Sequence, residues 1–474
     1  MPQLFDQEKN NIFVGSIDKL PEWSKNGEEQ EKAIEKVKLM LKNYLELDNV
    51  SFLFGSGSSI HLGAVSIRNF PREVEDFIRV KDSEAGYEGI YKKFIYVIRR
   101  LQSSFLSENE EGIDPETHIF TDKNGWKYIV EEKIIRDAQS NEIAIEFERV
   151  LNYLIAKDFT LNESIGIKRK DKVKELITSI KEGLFSACDI DRRKIPTSEL
   201  RKIVQRGKKS SFKPALENKY IFHEKLIKSL LQRPLNLRRA NIFTANYDLA
   251  FEYAFDRLGV HYIDGFTGFH KRFFKPETFE FDLFYPGSTT SGKVQRIEKV
   301  VRYFKLHGSL SWINSEKRDA NNLYGIEEMP LKLISLLKWK GEIIVYPSAV
   351  KKSYTLDLPY SELFRQFALA ITQSQSVLIT VGYSFADEHF NDIIFQALSN
   401  PTFTLIIVDF KGTRSPYIQR IKEMNDSRVI ILQGSFFGDF LTLADTLMPD
   451  MNGIDNQVKI AKTLNEYFKK AETE

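Results

Sequence analysis

"FLFGSGSSIHLG", residues 52–63, sets the fold question, because an apolar strand runs straight into Gly-Ser-Gly-Ser-Ser instead of an ordinary turn. A glycine pair at the mouth of a strand lets another backbone or a ligand come very close, and the hydroxyls beside it can bind oxygens. Two readings fit this stretch taken alone: a permissive strand-to-helix turn, and a phosphate-binding loop. The loops elsewhere in the chain have to separate them.

In front of the strand, residues 28–48 place Ala33, Ile34, Val37, Met40, Leu41, Tyr44 and Leu45 at helical spacing, with acids in the first turn. Helix, strand and glycine loop make a first α/β unit. From residue 240 onward the strand signal returns as ANIFTANYD, VVRYFKLHG, EIIVYPS, SVLITVGYS, TFTLIIVDF and VIILQGS. Helical stretches such as ELFRQFALAITQ, DEHFNDIIFQAL and FFGDFLTLADTL separate several of them. Near-continuous apolar strands alternating with helices predict an α/β fold, a Rossmann-like parallel sheet with helices on both faces. In such sheets ligands sit at the carboxyl ends of the strands, so the informative residues follow each strand. They are GSGSS (55–59), TANYD (244–248), LHGSLSW (306–312), YPS (346–348), VGYSFADEHF (381–390), VDF (408–410) and QGS (433–435).

Between the first unit and residue 240 the character changes to long charged helical runs, among them IAIEFERVLNYLIAKDF and KVKELITSIKEGLFSACDI, with few evident strands. The expected organisation is therefore a first sheet unit over 1–64, a large mainly helical insertion over 65–237 that serves oligomerisation or partner docking, the remainder of the sheet domain over 238–450, and a C-terminal helix over 451–474. The basic stretch 201–213 reads as a solvated loop, with contact to a nucleic acid or an acidic partner as its functional alternative.

The bulk numbers narrow the class. The chain has 474 residues, 42% of them hydrophobic and 28% charged, and 68 basic against 66 acidic residues leave a net charge of +2. No whole-chain field recruits nucleic acid or an anionic membrane, and direct nucleic-acid binding is not expected. The amino terminus carries acids and no apolar core, and no window approaches the ~20 apolar residues of a membrane span. The single cysteine, Cys188, excludes an intramolecular disulfide framework and a cysteine-based zinc knuckle. It sits among apolar neighbours of a helical run and reads as core. The expected compartment is the cytosol.

The dinucleotide fingerprint Gly-x-Gly-x-x-Gly fails, because Ile60 stands where its third glycine belongs. What remains is Gly-x-Gly-x-Ser after one strand, Thr-x-Asn-x-Asp after another and His-Gly after a third. In these three loops the sequence resembles the Sir2 (sirtuin) superfamily, whose corresponding motifs are Gly-Ala-Gly-x-Ser, Thr-Gln-Asn-x-Asp and a catalytic histidine before glycine. Here they read Gly55-Ser56-Gly57-Ser58-Ser59, Thr244-Ala245-Asn246-Tyr247-Asp248 and His307-Gly308. Val381-Gly382-Tyr383-Ser384 and the strand-end Asp409 are similar to the family's ribose- and adenine-contacting segments. The resemblance covers the first strand unit and residues 240–440, and leaves the insertion unexplained.

Two departures shape what the resemblance implies. Sirtuin deacylases carry a four-cysteine zinc module, which one cysteine cannot build. Their Ile-Pro-x-Phe-Arg segment is replaced by HLGAVSIRNFP, although Arg68, Phe70 and Pro71 lie nearby. Both favour the zinc-less Sir2-like enzymes of prokaryotic anti-phage defence, which hydrolyse NAD+ itself. The resemblance thus implies NAD+ as substrate without zinc, with Asn246, His307 and Asp248 as the catalytic set. Gly55, Ser56, Gly57, Ser58, Ser59, Thr244, Gly382, Tyr383, Ser384 and Asp409 are the implied nucleotide-binding set. It further implies a homo-oligomer and a regulatory partner, such as a HerA-like ATPase, an Argonaute-type protein or a phage protein.

Bland readings stand beside each of these. His307 can cap a strand end. Asn246 and Asp248 can form an Asx-turn, with Asp248 as N-cap of the helix LAFEYAFDRL. Asp387 and His389 read as capping or surface residues at a helix start.

Overall fold

The chain enters its main sheet at β1 (Asn10–Val14), turns through Gly15 into β2 (Ile17–Asp18), and passes through the helix Gln30–Leu45 into β3 (Asn49–Phe54). The computed structural model describes residues 4–65, 69–84, 89–109, 112–122, 125–145, 147–161, 167–194, 218–286, 295–315, 322–336, 359–410 and 415–451. Arg68, the basic stretch 201–213, the YPS loop 346–348 and all but the first residue of the expected C-terminal helix lie outside the described residues.

After the glycine loop come the helices Phe70–Glu84 and Gly89–Glu108, a small antiparallel sheet of β4 (Ile119–Thr121), β5 (Lys127–Glu131) and β6 (Ile134–Asp137), and the helices Phe147–Leu161 and Ile167–Cys188. The expectation of few strands in the insertion missed this sheet. Its strands are three to five residues long and only half-buried on β5, too short for a clear alternating pattern. These elements close on a core of their own, with Val74, Ile78, Phe94, Ile98, Leu151 and Ile180 at its centre. The next described helix, Ile221–Leu231, packs instead into the core of the main sheet through Phe222, Leu226 and Leu230.

The main sheet resumes with β7 (Asn241–Thr244), β8 (His261–Ile263), β11 (Val300–Lys305), β14 (Ser376–Val381), β15 (Thr404–Asp409) and β16 (Val429–Gln433), while β9 (Phe266–Thr267), β10 (Arg272–Phe274), β12 (Trp312–Asn314) and β13 (Ile326–Glu328) fall between them in the chain. Nine strands form it, in the order β2-β1-β16-β15-β14-β3-β7-β11-β8. From β16 to β8 all pairs are parallel, whereas β1 and β2 add an antiparallel edge. The sheet is thus mostly parallel rather than wholly so. β1 precedes the first crossover, and Gly15 at φ +61° lets it fold back as a hairpin arm onto the edge.

Alternate residues of the central strands face opposite layers. Phe52, Phe54, Ile242, Val301, Ile379 and Val408 point to one face, where Gln30–Leu45, Ile221–Leu231 and Ala250–Leu258 pack. Leu53, Phe243, Phe304, Leu378, Leu405 and Ile431 point to the other, covered by Tyr360–Thr372, Glu388–Leu398 and Pro416–Glu423. Burial on both faces is why these strands read as continuous apolar runs. A second antiparallel sheet, β12-β13-β10-β9, stands beside the β11 end.

Candidate active site

Register brings the loops level. Leu432, Val408, Val381, Phe54, Thr244 and Lys305 pair in one row across six parallel strands. Strands lie about 4.8 Å apart. The next residues, Gln433, Asp409, Gly382, Gly55, Ala245 and Leu306, therefore leave the carboxyl edge at the same height, where such sheets bind ligands. Main-chain bonds extend the pairing past the strands, from Ala245 N to Phe54 O at 2.9 Å and from Leu306 N to Thr244 O at 2.9 Å.

The glycine pair has a structural reason that the motif alone did not give. Gly55 N donates to Val381 O, and Gly57 N to Gly382 O, both at 3.0 Å. A Cβ on Gly55 would stand 2.6 Å from Gly382 O, and one on Gly57 2.6 Å from the Gly382 Cα. Gly382 itself sits at φ +59°, with its own absent Cβ 2.6 Å from the Gly57 Cα. Two loops touch backbone to backbone, so glycine is required on both sides. Short 3₁₀ turns, Ser56–Ser58 and Ile60–Leu62, follow instead of a long helix.

Asn246 ties the β7 loop to this pair. Its Nδ2 donates to Gly55 O at 3.0 Å and lies 3.3 Å from the Ser58 and Ser59 hydroxyls. The amide's donor end is thus committed to the fold, and Oδ1 is the end that no described residue uses. Ser58 and Ser59 are fully buried, and Ser58 Oγ donates to Gly55 O at 2.8 Å. Both serines hold the loop's shape, while Ser56 and Gly57 remain partly exposed. Thr244 is buried as well, its Oγ1 accepting from Asn246 N at 3.0 Å. It acts through Asn246.

His307 follows β11, one strand further along. Its Nε2 lies 3.1 Å from Asp387 Oδ2, an ion-pair distance. The imidazole sits between the rings of Tyr247 and Phe390, with centroids at 6.3 and 5.0 Å. Asp387 does cap the helix Glu388–Leu398, its Oδ1 accepting from His389 N at 3.1 Å. The expected cap is therefore observed, and the expectation that Asp387 does no more than cap is corrected. No sequence signal could have found the second contact, because it joins loops 80 residues apart.

Asp248 makes the Asx-turn, its Oδ1 accepting from Ala250 N at 3.0 Å, although the N-cap position falls on Leu249. Burial pushes its carboxyl above the ordinary range, opposed by the charge of Lys305 and a bond from Ser59. Lys305 donates to Asp248 O and to Glu252 Oε1, and the Tyr303 hydroxyl lies 3.0 Å from Glu252 Oε2. Tyr383 contributes its backbone to the glycine contact, but its ring is buried in the sheet core and its hydroxyl bonds to Asp387 O and Asn391 Oδ1, each at 3.2 Å. Its side chain is structural. Ser384 is exposed at the same turn, and Asp409 closes β15 half-buried.

The loop after His307 is pinned from two sides. Ser309 and Ser311 hydroxyls lie 2.9 Å apart, and Ser311 Oγ donates to Glu328 Oε1 at 3.1 Å. Glu328 pairs with Arg272, whose Nη2 donates to both carboxylate oxygens of Asp264 at 2.9 Å. Burial, with the Asp264 charge behind it, pushes the Glu328 carboxyl up to about 7 against the pull of Arg272. From the other side Phe185 of the helix Ile167–Cys188 packs with Leu310 and Ile334, with Tyr247 and Cys188 against them. Burial also pushes the Cys188 thiol far above its ordinary range, although the residue is only partly buried at the edge of the core rather than within it.

Residues 240–415 match the model of the SIR2-like domain family. That stretch of the chain is a SIR2-like domain of the Sir2 superfamily, and it holds the Asn246, His307 and Gly382 loops. SIR2-like domains use NAD+, so the match implies an NAD-dependent activity at a coarse level. No curated protein matches the chain. Among the described residues no group of three or more His, Cys, Asp or Glu could hold a metal ion, and no helix is long and apolar enough to cross a membrane.

Proposed function

We propose that this protein hydrolyses NAD+ to nicotinamide and ADP-ribose. One observation carries the reading: in a SIR2-like domain, Asn246 and His307 leave adjacent parallel strands at one height, beside a glycine loop fixed by backbone contact. The C1′–N bond of NAD+ breaks with its electron pair going to the cationic nicotinamide ring, which leaves neutral and needs little acid help. The ribose carbon becomes oxocarbenium-like, and a water oxygen bonds to it. Asn246 Oδ1 accepts from a ribose hydroxyl or from that water. His307 takes the water's proton and returns it to solvent, a general-base contribution of about 10²–10⁴-fold. The loop over 55–59 holds the pyrophosphate, and Asp409 accepts from the adenosine ribose hydroxyls.

The single cysteine supports hydrolysis over protein deacylation, since a four-cysteine zinc module cannot be built. In a cell such an activity depletes NAD+ and has to be restrained. The setting we propose is an anti-phage, abortive-infection effector in the cytoplasm, released by self-assembly or by a partner such as a HerA-like ATPase, an Argonaute-type protein or a phage protein. The helical insertion is the proposed docking element.

The test is nicotinamide release from NAD+ by the purified protein, alone and with candidate partners, beside Asn246→Ala, His307→Ala and an acetyl-lysine peptide. Turnover of NAD+ lost in both variants supports the reading. Turnover only with peptide makes the protein a deacylase, and NAD+ binding without turnover under every condition makes it a nucleotide-binding scaffold.

A further inference from the structure

We propose that Asp387 is a positioning residue for His307, supplying the charge that accepts the imidazolium formed during hydrolysis; this rests on the NAD+ hydrolase reading. The two side chains are 15% and 12% exposed, with Nε2 and Oδ2 3.1 Å apart. His307 lies between the rings of Tyr247 and Phe390, so a positive charge formed there has little water to stabilise it. A carboxylate in contact supplies what the aromatic slot lacks.

The turn that aims this carboxylate is specified well beyond the needs of a helix cap. Phe385 is a buried non-glycine residue at φ +54°, a conformation that persists only where the surroundings fix it. They do so here: Asn391 Nδ2 donates to Phe385 O at 2.9 Å, and the Tyr383 hydroxyl bridges Asn391 Oδ1 and Asp387 O. Asp387 then divides its carboxylate, Oδ1 to the His389 N–H and Oδ2 toward His307. The same turn begins at Gly382, whose backbone supports the glycine loop. One loop therefore holds both the nucleotide-binding turn and the partner of the base. When the water oxygen bonds to C1′, its proton passes to His307, and the new imidazolium sits against Asp387 until the proton leaves to solvent.

Substitutions can separate the charge from the cap, because Asn and Ser cap a helix about as well as Asp. Asp387→Asn keeps the cap and removes the charge; Asp387→Ser keeps the cap and is too short to reach His307. Both are expected to melt near the wild type while kcat for nicotinamide release falls at least about tenfold with KM for NAD+ unchanged. In a His307→Ala background, Asp387→Asn is expected to add nothing further. Wild-type kcat in Asp387→Asn, a loss confined to KM, or full additivity with His307→Ala overturns the proposal. If the wild-type protein itself releases no nicotinamide, the hydrolase reading fails separately. The pairing is then decided by ¹⁵N NMR of protein labelled at its seven histidines: a shift of the His307 ring nitrogens in Asp387→Asn supports it, and unchanged signals overturn it.

Discussion

Lys305 Nζ lies 2.8 Å from Glu252 Oε1, the two side chains only 4% and 10% exposed, directly beneath the loops that carry Asn246 and His307. The same ammonium donates to the main-chain oxygen of Asp248, so it ties the end of β11 to the loop after β7. A buried pair of this kind adds little net stability, but losing one partner strands the other charge. Lys305→Met is expected to lower unfolding free energy by about 3–5 kcal/mol in denaturant titration. Adding Glu252→Gln is expected to restore part of that stability but not nicotinamide release, because the Asp248 carbonyl stays untethered. Full recovery of turnover in the double variant would show that Lys305 serves stability alone.

The glycine contact gives a test of binding rather than chemistry. Gly382→Ala puts a methyl 2.6 Å from the Gly57 Cα at a residue with φ +59°, so clash and backbone strain add. The variant is expected to bind NAD+ about five- to 150-fold more weakly, since a backbone shift of that kind costs of order 1–3 kcal/mol. Calorimetric titration of NAD+ measures this directly. Unchanged affinity would place the nucleotide away from the loop 55–59.

Much of this frame was legible in the sequence, and the misses share one physical cause. Continuous apolar runs such as Ser376–Val381 announced central parallel strands because both of their faces are buried. Loop motifs after those strands marked Asn246 and His307 because parallel register forces strand ends together. β1 escaped notice because its antiparallel pairing with β16 depends on where the last strand falls. Asp387 read as a cap, which it is, and its approach to His307 depends on the turn at Phe385. Tyr383 and Thr244 read as ligand contacts, whereas core packing and the Asn246 backbone claim their side chains. Pairings between distant loops leave no periodic trace in one chain.

Glu328 ties pH to the support of the loop that follows His307. Burial raises its carboxyl to about 7 in the folded protein, against 4.5 for an ordinary glutamate. Between those values the folded state keeps a proton that the unfolded chain has lost, so this group's contribution to stability falls as pH rises, by at most about 1.4 kcal/mol per pH unit. Glu328→Gln retains a partner for Ser311 and removes the titration. The melting temperature of the variant relative to the wild type is expected to climb between pH 5 and pH 7.5. A difference that stays flat across that range would mean that Arg272 keeps Glu328 ionised throughout.

Among the described residues, the helical insertion reaches the site through apolar packing that includes Phe185. Phe185, near the end of the helix Ile167–Cys188, packs with Leu310, three residues past His307, and with Tyr247, the neighbour of Asn246. Phe185 therefore links the insertion to the loops that carry Asn246 and His307. Phe185→Ala removes most of that contact, and burial of the ring predicts a stability loss of about 3–5 kcal/mol at the upper end. Phe185→Leu keeps apolar volume with a different shape and is expected to cost under about 1.5 kcal/mol. If the insertion controls the site, the Leu variant changes kcat for nicotinamide release severalfold while remaining folded, and it changes the response to any partner that stimulates the wild type. Measured side by side with Ile155→Ala, an exposed position on another helix of the insertion, an equal effect from both would assign the change to general loosening of the insertion rather than to the Phe185 contact.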